Sequence, residues 1–202
     1  MGLVKGTLSF SRYRVVGTLP GNVRDFIDKQ IKLFAFRELS TAGEKAMGWT
    51  SLENVLDTDF EYANYVMADY FIFSLRIDRK LIPPSLHKLK VLEAEKRIRA
   101  QKGEKKIYRQ EREEIKENVR LTLLDKTPPT PSFYEVCWNS SEGWLLFGSH
   151  AKKIREDFEE FFKRTFSLTL VPYYPWDMKH MDREVAETVA SLKTESFSVP
   201  QR

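Results

Sequence analysis

Pro83-Pro84-Ser85 and, further along, Thr127-Pro128-Pro129-Thr130-Pro131 bracket the stretch whose reading decides the fold. Paired prolines end a sheet because proline has no N–H to give a ladder. Proline does suit the first turn of a helix, where that N–H has no partner anyway. Between the brackets the pattern is helical. Leu86 to Gln101 carries a thin apolar stripe, Leu86, Leu89, Leu92 (or Val91) and Ile98, on a charged rod. Gly103 is a helix stop, and a second rod from Lys105 to Leu124 keeps Ile107, Glu111, Ile115, Val119 and Leu123 in one register. Two rods of about 18 residues around a glycine turn predict an antiparallel hairpin roughly 27 Å long. The expected organisation is a helical arm (83–127) inserted into a body.

Working outward, Thr7 to Thr18 reads as a strand ended by Leu19-Pro20-Gly21-Asn22, with Asn22 capping a helix from Val23. Phe26, Ile27, Ile31 and Phe34 share one face of that helix. A loop with Gly43 and Gly48 leads to Trp49, Asp57 to Glu61 is an acidic turn, and Tyr65 to Ile77 reads as one or two strands. Beyond the arm, Phe133–Trp138 and Trp144–Gly148 read as a hairpin. An amphipathic helix with Ile154, Phe158, Phe161, Phe162 and Phe166 follows, then a strand from Ser167 to Tyr173. Met178, Met181, Val185, Val189 and Leu192 predict a last helix. The fold class is α+β, a mixed or antiparallel sheet body with the proline-bounded hairpin inserted. Its parts are an N-terminal α+β part (1–82), the arm, a second α+β part (128–177) and a C-terminal helix and tail (178–202).

With 202 residues, 42% of them hydrophobic, the chain can bury a core. No apolar run approaches the roughly 18 residues that span a bilayer, no signal-peptide pattern opens the sequence, and the single Cys137 fits a reducing compartment. A soluble cytoplasmic protein with no membrane partner is expected. Asp57, Asp59, Glu61 and Asp69 invite comparison with nuclease carboxylates, but their spacing matches no metal motif. His87, His150 and His180 are scattered, and no nucleophile elbow, Walker loop or dinucleotide fingerprint is present. No catalytic residue, metal site or cofactor is assigned, and the chain is read as a non-enzyme.

Charge is more informative. The formal net charge is +4. Between positions 88 and 120 lie twelve basic residues: Lys88, Lys90, Lys96, Arg97, Arg99, Lys102, Lys105, Lys106, Arg109, Arg112, Lys116 and Arg120. Seven glutamates share the segment, leaving it at +5 and the rest of the chain at −1. Such a concentration is the footprint of phosphate contact. Taken on charge alone, the rod reads first as a solvated surface element, with Glu93–Arg97 and Glu95–Arg99 as i,i+4 pairs, and only second as a phosphate-binding one.

Short matches in order along the chain reverse that preference. They are Ala46-Met47-Gly48-Trp49, Lys80-Leu81-Ile82-Pro83, Leu92-Glu93-Ala94-Glu95 and Arg112-Glu113-Glu114-Ile115-Lys116-Glu117 with Leu123-Leu124. Val136-Cys137-Trp138, Ser149-His150-Ala151-Lys152-Lys153 and Leu170-Val171-Pro172 continue the series. Together, over about residues 8–175, they resemble the RdgC family of bacterial recombination-associated proteins. The chain departs from the family pattern where Leu123-Leu124 continues as Asp125-Lys126-Thr127-Pro128 instead of Pro-Arg-Ala-Phe. The resemblance implies a non-enzymatic protein that binds double-stranded DNA with little sequence preference and forms a ring-shaped homodimer. It also implies nucleoid association and restraint of a RecA-type recombinase. With it, the twelve basic residues are read as the DNA-binding set. The alternative is a protein-interaction module using the arm or the last helix, and a metal-dependent exonuclease is a third reading.

Overall fold

In Tyr70-Phe71-Ile72-Phe73-Ser74-Leu75-Arg76-Ile77 every second residue from Phe71 is apolar, and the fold follows from where that set goes. Phe71, Phe73, Leu75 and Ile77 are all buried on one face of a long central strand, as a period of two requires. The computed structural model describes residues 9–40, 43–60, 65–103, 106–174 and 181–192. In chain order the elements are β1 (Ser11–Val16), α1 (Val23–Leu33), β2 (Lys45–Thr50), β3 (Val66–Met67), β4 (Tyr70–Arg79), α2 (Pro84–Gln101), α3 (Arg109–Lys126), β5 (Thr130–Asn139), β6 (Trp144–Phe147), α4 (Lys152–Phe166), β7 (Thr169–Pro172) and α5 (Arg183–Ser191). The strands form one seven-stranded sheet in the order β2-β4-β5-β6-β1-β7, with β3 also pairing β4. Every strand pair is antiparallel. The fold is α+β with an antiparallel sheet.

Helices α1 and α4 cover one face. Ile154, Phe158, Phe161, Phe162 and Phe166 of α4 are all buried, as their spacing predicts, and burial of each such side chain contributes roughly 1.5–3 kcal/mol. Trp49 packs edge-on against Phe73 at 5.0 Å and lies 4.9 Å from Phe161, and its indole Nε1 donates to Thr165 Oγ1 at 3.1 Å. Asn22 caps α1 as expected, its side chain accepting from the Asp25 N–H.

Three expectations are corrected. Gly48 lies within β2 instead of a loop: a Cβ there would stand 2.1 Å from the Phe36 Cα, so the close approach of the Phe34–Phe36 segment to the strand selects glycine. Pro131, expected to punctuate, sits inside β5 opposite Asp78. At that end β5 pairs only β4, because β6 joins it from Val136 onward, so a missing donor is tolerated. The last helix begins at Arg183 and none of its residues is buried; Met178 and His180 lie outside the described residues.

Candidate nucleic-acid interface

The arm grows from the paired ends of the two central strands. Arg79 of β4 faces Thr130 of β5, and everything between them departs as α2 and α3. Pro84 opens α2 at its first turn, and Gly103 adopts a φ of +64° at the tip, a conformation glycine takes without strain. Glu111, which interrupts the apolar register of the second rod, reaches back to the Tyr108 N–H at the start of α3 and also accepts from Lys102. It therefore serves as an N-terminal cap.

The seam between the helices differs from the stripe read in the sequence. Val91, Ile107 and Ile115 form its buried core, with Ala94, Ile98 and Val119 packed around them. Leu86, Leu89 and Leu92 are exposed, the last two at 52% and 55%. What the stripe missed is Glu95, only 9% exposed, whose carboxylate takes Arg112 Nε at 2.9 Å across the seam and Arg99 at 3.7 Å. His87 adds a second link, with Nε2 3.2 Å from the Lys116 carbonyl. One flank of the hairpin opens as a groove of about 600 Å³ floored by Ala94, Ile98, Ile115 and Val119 and edged by Lys90, Arg97 and Lys126.

The twelve basic residues separate into two sets. Lys90 pairs with Glu93, Arg99 and Arg112 with Glu95, Lys102 with Glu111, Lys116 with Glu113, and Arg120 with Glu117 and with Glu44 of the body. Glu93 takes Lys90 at 2.8 Å where the sequence suggested Arg97. Hydrogen bonds from Lys90, Lys102 and Lys116 hold the carboxyls of Glu93, Glu111 and Glu113 below the usual range. The bond to Glu44 raises the Arg120 guanidinium. Among the described residues, Lys88, Lys96, Arg97, Lys106 and Arg109 make no ion pair, and Lys105 lies outside them. All five unpaired cations are exposed.

The other polar residues have local roles. Asp57 Oδ1 accepts from the N–H groups of Asp59 and Phe60 at 3.0 and 3.1 Å and so builds its own turn; Glu61 is not described. Among the described residues no three His, Cys, Asp or Glu side chains converge as metal ligands. Cys137 is buried in β5, which pushes its thiol up and suppresses thiolate reactivity. No helix among the described residues is long and apolar enough to cross a membrane.

The profile of the family described as "Putative exonuclease, RdgC" matches residues 10–185. The chain belongs to the RdgC family. Membership supports, at the level of the family, a recombination-associated DNA-binding protein. Among curated proteins nothing matches.

Proposed function

We propose that this RdgC-family chain binds double-stranded DNA without sequence preference, through phosphate contacts made by the helical arm, and that it catalyses no reaction. The observation that carries the reading is the set of five exposed cations, Lys88, Lys96, Arg97, Lys106 and Arg109, that make no ion pair among the described residues, on the one segment that holds the chain's positive excess. Lysine and arginine on a rigid rod neutralise phosphates and release condensed counterions, which needs no base contact. Paired cations such as Lys102 and Lys116 can exchange an exposed carboxylate for a phosphate. Arg112 is held across the seam by Glu95 and contributes to the arm's shape.

The reading extends to a homodimer associated with the nucleoid that restrains a RecA-type recombinase. Support for the dimer comes from Val185 of α5 and Leu192 just past its end, both exposed apolar side chains suited to a second subunit. A protein-interaction module is the second reading, favoured by the exposed Leu86, Leu89 and Leu92.

A mobility-shift titration of duplex DNA at several salt concentrations tests the proposal. Four to six contacts give a log–log slope of roughly −4 to −5, at about −0.9 per phosphate. Alanine at Lys102, Lys105 and Lys106 flattens the slope by up to about three contacts, and glutamine at Glu111, Glu113 and Glu114 tightens binding. A flat salt response, or a triple-lysine variant that binds like the parent, removes the arm from the DNA site and favours the interaction module. With Mg²⁺ present the linear duplex stays intact; degradation would make the chain an enzyme. Light scattering at tens of micromolar reads the dimer directly, and a monomer there sinks it.

A further inference from the structure

The sheet has a second face that α1 and α4 do not cover, and its register places a particular set of side chains there. Residues directly opposite one another across antiparallel strands project to the same side. One row reads Tyr70, Asn139, Trp144, Arg14 and Val171 across β4, β5, β6, β1 and β7. The next row on the same face reads Ile72, Cys137, Leu146 and Arg12, beside Tyr173, whose N–H bonds the Arg12 carbonyl. The intervening row, Phe71, Trp138, Leu145 and Tyr13, is buried under the helices.

In these rows Asn139 and Cys137 are buried and Tyr70, Trp144 and Tyr173 half-buried, and the rings and cations form a ladder. Tyr70 and Trp144 lie 5.7 Å apart, the Arg12 guanidinium stands 5.9 Å from Trp144, and 4.5 Å beyond it is the ring of Tyr173. Arg14 is exposed beside them, and its Nη1 donates to the Glu142 carbonyl at 3.0 Å. Glu142 also accepts the Trp144 indole N–H at 2.6 Å, which fixes that ring. The far end of the same face is closed by the chain's own contacts, since Arg76 makes two bonds of 2.8 Å to Asp78 and lies 4.0 Å over Phe36. The platform is therefore confined to the end that carries Arg12 and Arg14.

Half-buried rings held at fixed orientation on the sheet face turned away from α1 and α4, with the exposed Arg12 and Arg14 interleaved, suit unpaired bases: bases stack on the rings while the guanidiniums take phosphates. Stacked duplex bases offer no free π-face, so this platform selects single strands. We infer that the Tyr70–Trp144–Arg12–Tyr173 ladder and Arg14 form a separate site for single-stranded nucleic acid, which stacks two or three bases. The site is independent of the arm and does not rest on the arm's duplex contacts.

The probe is a short fluorescent oligothymidylate, with oligouridylate in a parallel arm, followed by anisotropy at low salt. Both single strands bind; a marked preference for one tells DNA from RNA as the source. Trp144→Leu weakens binding roughly tenfold, the loss of one stacked base. Arg12→Gln with Arg14→Gln also weakens it, and Arg14 is exposed enough that its change leaves the fold alone. Alanine at Lys102, Lys105 and Lys106 leaves single-strand affinity unchanged. Absence of single-strand binding overturns the inference. So does binding that survives the ladder variants or disappears with the arm lysines.

Discussion

Gly48 and Gly21 make a controlled pair. A Cβ at Gly48 meets the Phe36 backbone, which cannot yield as a side chain could, whereas Gly21 has nothing within 4 Å. Gly48→Ala is expected to cost about 3 kcal/mol or more, and Gly21→Ala to stay within about 0.5 kcal/mol, both read by denaturant unfolding. Two buried phenols set the alkaline limit. Burial first, and then the hydrogen bonds that Tyr13 donates to Glu159 and Tyr65 to Asp28, raise both groups above their ordinary 10.0. An unfolded chain loses these protons near pH 10 while the folded one keeps them. Their contribution is thus complete below pH 10 and is lost as pH climbs beyond it. Stability measured between about pH 9 and pH 11 falls along that slope, and Tyr13→Phe with Tyr65→Phe flattens it.

Among the elements, the arm depends on one buried ion cluster. Glu95→Ala leaves Arg112 and Arg99 without their acceptor, in a seam whose apolar core is only Val91, Ile107 and Ile115. Amide exchange in α2 and α3 should quicken about 5- to 30-fold, for a loss of roughly 1–2 kcal/mol, while exchange in β4 and β5 stays as it was. An unchanged arm would mean that the apolar seam alone holds it. Prolines and the phenylalanine stripe made the arm and α4 legible in the sequence, because both signals are local: a missing donor, and a spacing that closes on one helix face. Glu95 was illegible because a glutamate on a charged rod looks solvated until the opposite helix is placed. The leucines misled for the converse reason, since Leu86, Leu89 and Leu92 advance round the helix and away from the side α3 occupies. The strand β2 hid behind Gly48, whose meaning depends on a segment packing from elsewhere. Of the twelve basic residues, the sequence shows their concentration but not which carry a carboxylate.

For the molecule as a whole, charge divides the labour: the body is nearly neutral and the arm carries the excess. The junction between them also governs how the chain acquires its structure. Arg79 and Thr130 are neighbours in space although residues 80–129 separate them in sequence. Were that connection an unstructured loop, closing it would disfavour β4–β5 pairing by roughly 3 kcal/mol relative to a two-residue turn. A helical hairpin that forms early returns the chain to its starting point and removes part of that entropy, so local structure in the arm should hasten assembly of the central strands. The same geometry makes the arm dispensable to the sheet. Joining Arg79 to Thr130 through an Asn-Gly turn should give a chain that refolds with its tryptophan core intact, seen in near-ultraviolet dichroism, and that lacks the salt-sensitive duplex binding proposed for the arm. Failure of that shortened chain to refold would show that the hairpin is a folding nucleus as well as an appendage.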